Sequence, residues 1–204
     1  RLAATNVVLA HANDSPQADS SRVQPTQFTL VYAALPTEPA HLDARFNTLR
    51  LQDARALLQL SDVPSPALRE ALAGLQPQGT AQELSVNLRA AAPGQALNAQ
   101  AFSARARLTG VSTQPWKHAP ALQNLNATLQ ADARSGALQL DSRAVQLTAP
   151  RMFQEPLTLD TLSGQLSWRA QGQGWRVESS GLAVKNADVE ASVRGSADIP
   201  SGSG

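Results

Sequence analysis

The side chains able to do covalent or acid–base chemistry are few and poorly spaced for it. Histidine occurs only as His11, His41 and His118, each beside an expected turn or loop end, with no metal-ligand spacing among them. Sixteen Asp and Glu residues supply carboxylates, yet no pair recurs in a cleft-forming context, and Asp160 and Asp188 read as turn residues. Cysteine is absent, which removes thiol nucleophiles, disulfides, zinc thiolates and iron–sulfur ligation. A Gly-rich phosphate loop and a Gly-x-Ser-x-Gly elbow are also missing. These gaps point away from an enzyme, and neither catalytic residues nor a metal or cofactor is expected.

The chemistry that the residues do support is burial of hydrocarbon. Apolar side chains alternate with polar ones through Leu125, Ala127 and Leu129, then Leu138, Leu140, Val145 and Leu147. The pattern continues through Leu157, Leu159, Leu162, Leu166 and Trp168, and then Trp175, Val177, Leu182 and Val184, closing at Ala191 and Val193. Period two places every second residue on one face of a strand. Each methylene withdrawn from water contributes about 0.8 kcal/mol, so such a face can hold acyl chains without charges or specific bonds. The same residues suit an ordinary sheet core equally well.

The elements that must position them are mainly strands. Leu125-Asn-Ala127-Thr-Leu129-Gln-Ala131 recurs as Leu162-Ser-Gly164-Gln-Leu166-Ser-Trp168, 37 residues later. Leu138 and Leu140 fall on Trp175 and Val177 at the same spacing, and Val145 and Leu147 fall on Leu182 and Val184. Ser135-Gly136 and Gly172-Gln173-Gly174 occupy the corresponding turns, where glycine adopts positive φ freely. A weaker copy precedes these by 41 residues, with Leu84 and Leu88 ahead of Leu125 and Leu129. The unit is a β-hairpin, and units of this size bury their apolar faces by stacking into an elongated sheet.

Upstream, 27–32 and 41–51 are strand-like around a Pro36-Thr37-Glu38-Pro39 turn, and 6–9 is a possible earlier start. The polar stretch between Val8 and Val23 reads as a mobile loop. Two short helices are expected between Asp53 and Leu75, the second capped by Ser65 with Pro66 at its first position, and Pro77-Gln78-Gly79 ends them. Strands resume at 83–88 and 99–108 around a turn at 91–95. The chain thus divides into N-terminal strands with a flexible loop (1–52), a helical insert (53–76), a hairpin-repeat segment (77–200) and a linker-like tail (201–204).

With 17 basic and 16 acidic residues the net charge is +1, Lys occurs only at Lys117 and Lys185, and the arginines are scattered. Nucleic-acid binding is therefore not expected. No run approaches the roughly 18 apolar residues that span a bilayer, and no signal peptide is present, so the chain as it stands is expected to be soluble. Its start at Arg1 and its Ser-Gly tail suggest a piece of something longer. The helices are too few to cover the sheet, which leaves a sandwich or an open trough; low aromatic content argues weakly against a tightly packed sandwich, and composition alone does not separate the two. Trp116, beside Lys117 and His118, is expected to cap the sheet edge, with a headgroup boundary as the alternative. Trp168 and Trp175 are expected to stack across one hairpin, and Arg151, Met152 and Phe153 to form a crossing that seals the trough wall.

An ordered string of residues resembles a known family. Leu75-Gln-Pro77-Gln-Gly79, Gly110-Val-Ser-Thr-Gln-Pro-Trp116-Lys-His-Ala-Pro120, Gly136-Ala-Leu-Gln-Leu140, Ala149-Pro-Arg-Met-Phe153-Gln-Glu-Pro156-Leu and Leu162-Ser-Gly164-Gln-Leu-Ser-Trp168 are similar to the YhdP branch of the AsmA-like superfamily, which includes TamB. The likeness covers about residues 70 to 200. It implies a mainly β fold in which stacked hairpins form an elongated curled antiparallel sheet with an open hydrophobic groove. It further implies a periplasmic cell-envelope protein, held in the inner membrane by an N-terminal anchor absent here. The groove would carry phospholipid towards the outer membrane, with acyl chains and the remaining repeats of the full-length protein as partners. The family offers no catalytic motif to transfer. A non-catalytic β-scaffold, pairing through its edges with neighbouring segments, is the alternative.

Overall fold

The computed structural model describes residues 27–59, 66–97, 101–117, 119–150, 155–172 and 174–200. Strands β1 (Phe28–Leu35) and β2 (Glu38–Arg50) form a hairpin, followed by helices α1 (Leu51–Gln59) and α2 (Pro66–Leu75). Seven strands follow: β3 (Gln78–Arg89), β4 (Phe102–Thr113), β5 (Ala121–Asp132), β6 (Ser135–Thr148), β7 (Leu157–Gln171), β8 (Gly174–Lys185) and β9 (Glu190–Pro200). They make one antiparallel sheet in which spatial order equals sequence order. Even β2 and β3, separated by both helices, pair directly, so the helices hang from one end of a meander.

The expected mainly β architecture of stacked hairpins with two short helices is what forms. The expected curl is not. The sheet is open and uncurled, with β1 and β9 at opposite ends of the order. The β4–β5 register shifts by one residue at Val111↔Leu125 and returns at Thr113↔Leu122, β6 and β7 pair from Ser135↔Arg169 to Leu147↔Leu157 with no shift, and the β5–β6, β7–β8 and β8–β9 pairs each keep the shift they acquire.

The repeat survives intact, with β5 and β6 reproduced by β7 and β8 at the 37-residue spacing. Its turns differ in one respect. Gly172 (φ 59°) turns the β7–β8 hairpin as expected, but Gly136 lies inside β6, opposite Ala131 and Trp168. The β5–β6 turn is made by Asp132, whose Oδ1 accepts from the N–H groups of Arg134 and Ser135, both at 2.7 Å. Those N–H groups and the Ser135 hydroxyl hold the Asp132 carboxyl below its ordinary 3.8. Gly136 is required instead because the Trp168 indole lies where its Cβ would be. Trp168 faces Val177 and Trp175 faces Ala170, so the expected indole stack across the hairpin is replaced by this seat on β6.

In the first hairpin only Pro36 and Thr37 lie between the strands, and His41 sits within β2, 4.0 Å from Asp43. Asp53 lies in the first turn of α1, 2.9 Å from Arg50 Nε, and Pro66 opens α2 as expected. Beyond α2, Gln76 takes a left-handed φ of 44°, and the Leu75 carbonyl accepts from the Gln114 N–H at 2.7 Å, tying helix to β4. Trp116 packs on Gly74 of α2 rather than on the sheet edge, where a Cβ would collide with its ring. Lys117 lies 4.7 Å from that ring and 3.2 Å from Glu70. The possible strand at 6–9, the loop between Val8 and Val23, His11, Ser65, His118, the crossing at Arg151, Met152 and Phe153, and the tail 201–204 lie outside the described residues.

Candidate functional site

The register aligns apolar residues into rows that cross the sheet. One row runs Leu30, Ala44, Val86, Ala104, Ala131, Gly136, Trp168, Val177 and Ala197, touching every strand. Another runs Leu49, Ala81, Leu108, Ala127, Leu140, Gly164, Leu182 and Val193 from β2 to β9. Between them lie Ala106, Leu129, Leu138 and Leu166. Nearer the helical end come Leu162, Val184 and Ala191, then the partners Val145 and Leu159, and Leu122, Leu147 and Leu157.

All the expected face residues therefore share one surface, Trp175 included through its pairing with Ala170 and Ile199. They are not equally available. Leu125, Ala127, Leu140, Val145, Leu159 and Leu162 are buried with Val111 in a single cluster, against which Leu51 of α1 also packs. Leu129, Leu138, Leu147, Leu157, Leu166, Trp168, Trp175, Val177, Leu182, Val184 and Ala191 are half-buried. Val193 is 52% exposed.

Keeping one apolar face over strands this long requires a local change of phase, and the backbone provides it. Strict alternation would send Leu122, Val145 and Leu147 to the opposite side from Leu125 and Leu140. Single residues at positive φ reset the pattern: Glu83 (51°), Gly110 (59°), Asn124 (61°) and Ala144 (51°). They follow the repeat, with Asn124 lying 41 residues after Glu83, and Gly181 (φ 149°) lying 37 after Ala144. Such irregularities free backbone groups that must find partners. Gly110 N–H donates to Asn126 Oδ1 at 2.9 Å, and Asn124 Nδ2 donates to the Arg143 carbonyl at 3.0 Å. Ser142 Oγ accepts from Asn126 N–H and donates to the Asn126 carbonyl, both at 2.8 Å. That double bond explains how a hydroxyl 2% exposed sits in the apolar cluster.

Sequence reasoning missed the part of the face on β1 to β4, including Leu30, Leu49, Ala81, Val86, Leu108 and Val111. The 41-residue echo at Leu84 and Leu88 was the available signal. Among the described strands, charged side chains pair away from the apolar rows, as in the Arg176–Glu178 pair at 2.7 Å and Lys185–Glu190 at 3.0 Å. Among the described residues no group of three His, Asp or Glu side chains could hold a metal, and no helix is long and apolar enough to cross a membrane. What the arrangement offers chemically is an uncharged, continuous apolar surface.

Comparison with known proteins follows the same line. The family model described as YhdP protein matches residues 1–202. The intermembrane phospholipid transporter YhdP of Escherichia coli (strain K12) is 23% identical over 150 residues, which are 74% of this chain and 11% of that protein. The chain thus spans about a tenth of the curated relative's length. No solved structure matches.

Proposed function

The chain belongs to the YhdP family, and from that membership and its apolar face we propose that it is one segment of a lipid conduit, in which phospholipid acyl chains lie on the sheet while headgroups stay in water. The observation that carries this reading is the uninterrupted apolar row from Leu30 to Ala197. Eight inter-strand steps of about 4.8 Å make it roughly 38 Å long. One bilayer leaflet contributes about 15 Å of hydrocarbon, so more than one chain length fits along it. Small residues at Ala44, Ala104 and Ala131 keep this part of the row low beside the Leu129–Leu138–Leu166 row, and a chain lying there gains about 0.8 kcal/mol per methylene. Nothing on the face fixes a particular acyl chain, which suits transport better than storage, because a bound lipid meets a graded surface and no specific lock.

In the longer protein, neighbouring repeats would extend the face at the β1 and β9 edges, and the whole would act in the periplasm from an inner-membrane anchor, carrying phospholipid towards the outer membrane. The role is non-enzymatic. The exposed Tyr32, Leu35, Val193 and Ile199 near those edges also suit the second reading, a β-scaffold joined to its neighbours by strand pairing. The test is native mass spectrometry on detergent-free protein with lipid extraction. Retained phospholipid that is lost in the folded Leu129→Asp and Leu166→Asp variants supports the conduit. Lipid-free protein, or retention that both variants leave unchanged, supports the scaffold.

A further inference from the structure

A concavity of about 680 Å³ runs from β3 to β8 near the hairpin-turn end; Ala104, Ala131, Gly136 and Trp168 of the apolar row belong to its lining, and its other lining residues alternate with that row and so lie on the opposite face. Its floor is made of short side chains, Ala137 and Ser167, with Ser85 and Ser103 at one end. Arg105 stands at that end between its register partners Ser85 and Gln130. It makes no hydrogen bond or ion pair with any described residue. Arg169 and Arg176 stand at the far end and share one carboxylate, Glu178, at 3.4 and 2.7 Å. Arg176 also reaches Asp198 at 3.4 Å. Asp132 at the rim is engaged by the Arg134 and Ser135 N–H groups and the Ser135 hydroxyl. Three guanidinium groups thus face two carboxylates along the lining, and the unpaired one has neutral hydrogen-bonding neighbours.

We propose that this concavity binds a phosphate-bearing group, with Arg105 as its anchor. A guanidinium presents a planar fork that matches two phosphate oxygens, and Ser85 and Gln130 add neutral hydrogen bonds at its sides. The rest of the ligand lies over Ala137 and Ser167 towards Arg169 and Arg176, three and four strand spacings away, about 14 and about 19 Å. Because the site is on the face opposite the acyl-binding rows, it does not depend on the conduit reading. One phospholipid cannot occupy both.

The test uses the 204-residue chain, following arginine side-chain NMR signals while inorganic phosphate or glycerol phosphate is added. A parallel arm measures binding to phosphatidylcholine vesicles with and without phosphatidylglycerol. The expected result is a saturable shift at Arg105, weakened about tenfold or more in Arg105→Gln and also reduced in Arg176→Gln. Arg143→Gln, exposed at the other end of the same face, should bind as the parent does. Binding only to the anionic vesicles, lost in Arg105→Gln, supports the site and identifies a lipid headgroup as its ligand. No saturable response to any probe, or equal binding by Arg105→Gln, Arg176→Gln and Arg143→Gln, overturns it.

Discussion

The β5–β7 centre of the sheet and its β8–β9 edge are written in the same repeat and end up as different materials. Val145 and Leu182 occupy equivalent positions 37 residues apart. Val145 is fully buried within the central cluster, whereas Leu182 is half-buried beside Val193, itself 52% exposed. The chemistry of the side chains is alike, so the difference comes from neighbours. Val145 lies inside the cluster against which Leu51 of α1 packs, whereas Leu182 of β8 has Gly164, which lacks a side chain, on one side and the open edge residue Val193 of β9 on the other. One sequence pattern therefore serves as core in the middle and as open apolar surface at the margin.

Charge insertion breaks the comparison most sharply. Val145→Asp buries a carboxylate among leucines and should destabilise the protein by more than about 4 kcal/mol, enough to unfold it. Val193→Asp on the open edge should stay within about 0.5 kcal/mol of the parent in urea denaturation while reducing bound lipid. Similar losses at both positions would mean that the edge is packed like the centre.

The repeated serines give a smaller contrast. Ser142→Ala leaves the Asn126 N–H and carbonyl without their partner and should cost about 1–3 kcal/mol. Its counterpart Ser179 donates to the Val193 carbonyl at 3.0 Å in an exposed setting. Ser179→Ala should therefore cost about 0.5–1 kcal/mol, measured by the same denaturation.

Ala144 holds a left-handed φ of 51° that glycine accepts without strain, where its repeat partner is Gly181. Ala144→Gly should stabilise by about 0.5–1 kcal/mol, seen as a higher denaturation midpoint. A loss instead would show that the phase change at this point does not depend on backbone conformation.

The smallest effect lies in the β5–β6 turn. The folded-state pKa of Asp132 is depressed, so its contribution is fully present above the ordinary carboxylate value and is lost as pH falls through the folded-state one. An NMR titration of its carboxyl carbon should give a midpoint below 3.8. Asp132→Asn should flatten the acid-side loss of turn protection.

Much of this fold was legible because period two and a fixed offset are local. Leu125 with Leu162, and Val145 with Leu182, mark the hairpins by their spacing along the chain alone. What escaped depends on neighbours. Ala144 carries no compositional sign of positive φ, so the phase change that keeps Val145 and Leu147 on the face was invisible. Gly136 looked like a turn residue because glycine turns are common, and its partner, the Trp168 indole, is 32 residues away in sequence. The curl could not be read from individual residues, because alternation and a fixed offset specify strands and hairpins and not how far the whole sheet rolls. On the candidate face, alternation found the residues of β5 to β9 but could not separate buried Leu125 from open Val193, a distinction set by position in the sheet.

The most direct test of the central claim exploits alternation itself. Photoreactive residues placed at Leu166, Trp168 and Leu182 on the apolar face, and at Gln165, Arg169 and Ala183 on the other, would be irradiated in the full-length protein in bacterial cells and the adducts identified by mass spectrometry. The account predicts phospholipid adducts at the first three positions and none, or few, at their immediate neighbours. Equal labelling on both faces, or adducts to protein alone at Leu166 and Leu182, would contradict it.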